Sequence, residues 1–203
     1  MSEAADVLPA SRPVARFVLK TLAWLPPSFA VWYFGAPVLL WPAIALVRLV
    51  ARVGLPDLVR TVEQSGAVCV FATTLKPGQA LALSGNITVD VNTLLYAFGL
   101  PLYVALVLAA REPGWQRKLA LGYVVIIPFV AWGVLADFLK NVAITSGPFV
   151  ASQTGFSPLQ NELIAFAFQF GSLILPTVVP AVAWVLMHRR FLEALREPGL
   201  RAG

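Results

Sequence analysis

The sequence predicts an α-helical integral membrane protein with four transmembrane helices and a small three-stranded antiparallel β-meander inserted between helices 1 and 2. Three observations predict it. Of the 203 residues, 59% are hydrophobic and only 12% charged, less charge than a soluble domain normally carries. Apolar runs of about 20 residues, enough to cross a hydrocarbon core about 30 Å thick, recur along the chain. Between the first two runs lies a polar insert whose residues alternate as strands do.

The first run covers roughly Thr21–Val47 and follows a polar tail, 1–15, that reads as disordered. Pro26, Pro27, Pro37 and Pro42 require this helix to kink or break, which a membrane tolerates where neighbours satisfy the freed carbonyls. It is too long for a cleaved signal peptide and reads as a retained anchor. Trp24 and Trp41 are 17 residues apart, about 25 Å of helix, and can mark the two interfaces. Past Pro42, "AIALVRLVARVGLP" sets Arg48 and Arg52 on one helical face, at the depth of lipid headgroups. Lipid contact and an acidic partner are both open to them.

The insert, 58–91, contains "LVRTVEQS", "GAVCVFATTL" and "NITVDV", with the turn signal "KPGQ" before the last strand. A sheet this small is not stable alone and has to lie on the membrane or against a partner. Its last strand runs straight into the second span, Thr93–Ala110, so the junction fixes the angle between sheet and helices. The third and fourth spans, Leu119–Leu139 and Leu163–Met187, flank a Gly-, Ser- and Thr-rich loop, 141–161. That loop ends in "SPLQ": Ser157 as N-cap, Pro158 at the first helical position, Gln160 completing a capping box. Residues 16–187 thus form a single membrane domain, and 188–203 a basic tail.

Ten of the fifteen Lys and Arg residues fall in the two tails and the short loop at 111–118. The positive-inside rule then puts both termini in the cytoplasm and the insert in the periplasm of a bacterial inner membrane. Because the net charge of +5 is concentrated at the span ends, it points to membrane lipids and not to nucleic acid.

No sequence motif for a metal, a cofactor, a nucleotide or a hydrolytic nucleophile is present, so no catalytic, metal or cofactor residue is assigned. His188 and Cys69 fall on opposite sides of the membrane, which rules out a Cys–His pair. Cys69, the single cysteine, reads as a small buried apolar residue. What remains are polar residues at membrane depth, which are costly there. Asn92, Tyr96, Gly99 and Tyr103 form one helical stripe continuing Val89 and Asp90 of the last strand, a candidate partner contact. Asp137, Lys140 and Asn141, with Glu162 and Gln169 from the fourth span, are a candidate intramembrane polar site. Two readings stay open for these residues: helix packing with interhelical hydrogen bonds, or a small polar cavity serving a proton- or solute-coupled carrier.

Several segments carry a family resemblance: "LAWLPPSFAVWYFGAPVLLWP", "VEQSG", "ITVDVNTLLYAFGLPLYVALVLA", "AWGVLADFLKN" and "LIAFAFQFGSLILPTVVPAVAW". Together, over roughly Phe17 to Trp184, they resemble the exosortase H-associated membrane proteins. The most specific pieces are "VNTLLYAFGLPL" and "WGVLADFLK". The resemblance implies a small bacterial multi-pass protein that accompanies an exosortase, the cysteine transpeptidase-like membrane enzyme that processes C-terminal sorting signals. It implies a non-catalytic accessory role, with the enzyme or its sorting-signal substrates as partner. It brings no catalytic residues with it.

Overall fold

The computed structural model describes residues 13–77 and 85–196. Gly78 and Gln79 of the "KPGQ" turn, and the outer parts of both tails, lie outside them. Helix α1, Pro13–Phe34, begins within the stretch expected to be tail and carries Pro26 and Pro27 inside it. The apolar run then breaks. Pro37 and Pro42 lack the N–H that would close onto the carbonyl four residues back, and each falls at the start of a new helix: α2, Ala36–Leu39, and α3, Trp41–Gly54. Of the kink or break expected over Thr21–Val47, the structure has the break, and the run is divided among three helices. Trp24 and Trp41 lie on different ones, so straight-helix spacing does not relate them.

The meander is present as expected. Strands β1 (Val59–Ser65), β2 (Val68–Thr73) and β3 (Thr88–Asn92) pair antiparallel in the order β1-β2-β3. Ser65 faces Val68 across a two-residue turn, and Gly66 there takes φ +63°, the left-handed conformation such hairpins need. One face of the sheet is buried: Val62 from β1, Cys69, Phe71 and Thr73 from β2, Val89 and Val91 from β3. That face docks on the helices, where Phe71 stacks on Phe138 with ring centroids 4.2 Å apart and planes 14° from parallel. The sheet thus finds in this chain itself the support that its size requires.

A single residue, Thr93, separates β3 from α4, Leu94–Ala97, and Asn92 Oδ1 caps that helix by accepting from Leu94 N at 3.1 Å. Pro101, unable to donate to Ala97, accompanies the break before α5, Gly99–Ala110. Helix α6, Trp115–Lys140, continues through a π-helical turn, Asn141–Thr145. The segment expected as a loop then forms α7, Pro148–Thr154. Helix α8, Pro158–Gln169, starts with the expected capping box and passes through a second π-helical turn, Phe170–Ile174, into α9, Leu175–Met187. Helix α10, Arg189–Arg196, covers part of the basic tail. Among the described residues two continuous helices, Trp115–Thr145 and Pro158–Met187, are long and apolar enough to cross a membrane. Leu94–Ala110 is apolar but shorter.

Helix α6 is the centre of the packing. A side chain at Gly122 would overlap the Tyr103 ring, and one at Gly133 the Tyr96 ring. At Gly171 an added Cβ would approach the Gly133 Cα to 3.2 Å, so α6 and the second π-turn meet backbone to backbone. Gly99 does the same for α5 and α9. Pro180 provides no N–H for the Pro176 carbonyl, and that free oxygen lies against the Gly99 Cα. Gly99→Ala would drive its methyl into this oxygen and the Pro180 ring. The expected result is a loss of about 1–3 kcal/mol, the usual cost of overpacking, read as a lower thermal midpoint of the detergent-solubilised protein; an unchanged midpoint would mean that the two helices do not approach this closely.

Candidate functional site at the sheet end of the bundle

Polar residues gather where the sheet meets the ends of α6 and α8. Asp137 and Lys140, one turn apart on α6, form an ion pair at 3.0 Å. Asn141, first residue of the π-turn, donates Nδ2–H to Asp137 Oδ1 at 3.0 Å and to its carbonyl at 2.9 Å. The Lys140 ammonium sits 4.1 Å above the Phe168 ring of α8, and the Tyr96 hydroxyl lies beside the Asp137 carboxylate. The cluster is largely self-satisfied: Asp137 and Lys140 pair within α6, while Phe168 and Tyr96 bring α8 and α4 against the pair.

Glu162 and Gln169 are elsewhere on α8. They line a separate open cleft of about 770 Å³ between α8, α7 and the first π-turn. Asn161 borders the same cleft with a buried Oδ1 that has no partner among the described residues. The five residues expected to form one intramembrane site are therefore divided in two: Asp137, Lys140 and Asn141 closed on each other, Glu162 and Gln169 facing open space. No ion pair or hydrogen bond joins the groups among the described residues.

The candidate partner stripe divides too. Tyr96, Gly99 and Tyr103 are buried between helices, and Tyr103 donates its hydroxyl to the Lys118 carbonyl at 2.6 Å, far from the sheet. Helix packing, one of the two readings of the stripe, describes these three. Val89 faces the core, while Asp90 and Asn92 are exposed. Ile87 donates to Leu75 O and accepts from Thr73 N, so by alternation Val89 and Val91 direct their backbone groups to β2. Those of Thr88, Asp90 and Asn92 are left on the far side, an open edge with no strand beside it among the described residues.

The other edge of the sheet is closed. Val62 O, turned away from β2, accepts Arg48 Nε–H at 2.9 Å, and Gln64 Nε2 donates to Pro37 O at 2.7 Å. Arg48 is half-buried and Arg52 exposed. Sequence reasoning could not find these bonds, because they join residues 14 and 27 positions apart. Beyond β2, Gln153 of α7 clamps the Lys76 backbone from both sides, accepting from its N–H at 3.0 Å and donating to its carbonyl at 2.9 Å. Residues 77 positions apart thereby tie the loop of the sheet to α7.

A match to a family model decides the relationship: residues 11–191 match that of the exosortase H-associated membrane proteins. The chain belongs to this family. No curated protein and no solved structure matches it. Among the exposed features at this end of the bundle are the open β3 edge and the Asn161–Glu162–Gln169 cleft.

Cys69 and His188 are each wholly buried, at opposite ends of α6: one near Phe138, the other near Lys118, about 30 Å apart along the helix. Burial, only partly offset by the nearby Arg48 guanidinium, pushes the Cys69 thiol up to about 12. The folded protein thus keeps this thiol neutral well past its ordinary value, a contribution to stability that is present below that value and lost as pH rises toward 12. Maleimide labelling of Cys69 should stay negligible between pH 7 and pH 9 and become complete on unfolding in denaturant; rapid labelling of folded protein at pH 7 would contradict the burial.

Proposed function

We propose that this chain is a non-catalytic accessory subunit of an exosortase-type protein-sorting system in a bacterial inner membrane. It binds the enzyme or the C-terminal tail of its substrate. In this reading α1, α4–α5, α6 and α8–α9 make four crossings, both termini are cytoplasmic and the sheet is periplasmic. Arg48 and Arg52 lie at the depth of the outer headgroups. Family membership supports the association. The observation that carries the mode of binding is the asymmetry of the sheet: β1 is closed by Arg48 and Gln64, while β3 offers an open edge.

An extended polypeptide added to β3 would exchange backbone hydrogen bonds with Thr88, Asp90 and Asn92. The sheet is pinned to α6 by Phe71 and leads into α4 after one residue, so the edge is held at a fixed height and angle over the bundle. The carrier reading finds no such support, because Asp137 is closed by Lys140 and Asn141 and shares nothing with Glu162 and Gln169.

The test uses position 90, whose N–H is on the open edge, and position 89, whose N–H is in the ladder. Asp90→Pro removes an outward donor and should reduce processing of a sorting-tail protein at least tenfold while the membrane level of the chain is unchanged. Asp90→Ala, which keeps the N–H, should process normally. Val89→Pro breaks the β2–β3 ladder and should lower the amount of protein itself. Normal processing by Asp90→Pro would rule out strand addition at β3.

A further inference from the structure

We infer that the cleft between α3 and β1 is a binding site for the phosphate of an anionic phospholipid headgroup. The cleft holds about 430 Å³ and is lined by Arg48, Arg52 and Arg60, with Glu63 at its border. Among the described residues none of the three guanidinium groups has a carboxylate within 4 Å, so their charge is not neutralised by the protein. The local sum of three cations and one anion leaves two positive charges facing a cavity.

Arg48 is the fixed member. Its Nε–H is engaged by the Val62 carbonyl, while its two terminal amino groups have no acceptor among the described residues. A guanidinium oriented in this way presents a planar fork suited to phosphate oxygens. Arg60 comes from the opposite wall. The pairing of β1 with β2 shifts register between Val59 and Thr61, and such a bulge redirects the side chain at its centre. Two arginines from a helix and one from a strand bulge thus converge on one space. The sequence showed only the helical pair.

The ligand is a lipid and not an acidic peptide because of what surrounds the charges. Leu49, Val50 and Val53 on the same helix are exposed, and Val53 is 75% so, which suits a helix lying among acyl chains. Val50 and Leu55 also border a separate groove of about 430 Å³, walled almost entirely by apolar residues of α6 and α8 such as Leu135, Leu139 and Leu163. Space for a phosphate and space for an acyl chain therefore adjoin the same helix. The strand edge next to the cleft, in turn, has its Val62 carbonyl occupied by Arg48, which interrupts the run of backbone groups a peptide strand would pair with. The inference rests on the reading that α3 lies at the membrane interface.

The experiment is native mass spectrometry of the full chain in mild non-ionic detergent, titrated with dioleoyl phosphatidylglycerol, dioleoyl phosphatidylcholine or inorganic phosphate. One phosphatidylglycerol should be retained at least tenfold more strongly than phosphatidylcholine. Arg52→Gln and Arg60→Gln, whose side chains make no bond among the described residues, should each weaken retention about fivefold, as expected for a surface arginine near an anionic lipid. Glu63→Gln should strengthen it, and Arg117→Gln, in the α5–α6 region, should change nothing. Equal retention of the two lipids, or no effect of Arg60→Gln, would overturn the inference. Displacement of phosphatidylglycerol by millimolar inorganic phosphate would overturn the lipid and leave a free-anion site. Binding in detergent does not depend on membrane orientation. A failure of the orientation would instead be read from labelling of Asn86→Cys, an exposed insert position outside the cleft, in intact cells, with retention unchanged.

Discussion

Most of the described elements pack against α6, with α1 held through α5, and the missing side chains at Gly122 and Gly133 allow it. In lipid the association of helices gains little from the hydrophobic effect, because the surrounding chains are as apolar as the helix faces. Contact must then come from close packing and from hydrogen bonds, and both need backbones or broad rings brought near. Tyr103 lies on Gly122, Tyr96 on Gly133, and the π-turn at Gly171 reaches the same Gly133 from another side. Trp132, next to it, donates to the Ala167 carbonyl at 3.3 Å. At the end of the same helix Phe138 receives Phe71, a stacked pair contributing about 0.5–1.5 kcal/mol beyond its burial. One helix thereby sets the position of the sheet as well as of the bundle.

The prolines act through the carbonyls they free. Each one inside a helix removes a donor, and in an apolar setting the oxygen left behind must be satisfied or approached by something else. Gly99 fills that role for Pro176. Hydroxyls make further bonds to helix carbonyls nearby, Ser172 to Phe168 O at 2.7 Å and Thr177 to Ile174 O at 3.0 Å. In the first apolar run the result differs, since Pro37 and Pro42 follow Gly35 closely and the chain starts new helices instead of bending one. The consequence is functional in kind: α3 is released from the line of α1 and runs beside the sheet, where Arg48 can reach Val62.

Local pattern made part of this legible. The alternation in "NITVDV", the absence of a linker after it and the Ser157–Gln160 capping box are each decided by a few neighbouring residues, and the structure has them where the pattern puts them. Helical periodicity also placed Asn92, Tyr96, Gly99 and Tyr103 on one face, but it cannot say what covers that face. Here other helices cover Tyr96, Gly99 and Tyr103, while Asn92 ends β3 and is exposed. The division of Asp137 from Glu162 was invisible for the same reason: it depends on the rotation of α8 about its own axis, fixed by Phe168 over Lys140 and by the π-turns. Helix α7 was missed because Gly, Ser and Thr dominate its surroundings, while its stability comes from Val150 in the core and from the clamp on Lys76.

The difference between the two edges of the sheet also bears on what β3 can accept. An unprotected edge invites pairing with a second copy of itself, and natural sheets counter this with charge. Asp90 is at the middle of β3, exposed, with its backbone groups on the open side. Two copies paired antiparallel about that residue would bring two carboxylates directly opposite each other, which is destabilising. A strand from a different chain, neutral or basic at the facing position, meets no such opposition. The same residue that supplies a backbone donor to a partner therefore discourages the sheet from pairing with its own kind, and the selectivity comes from one side chain on a strand of five residues.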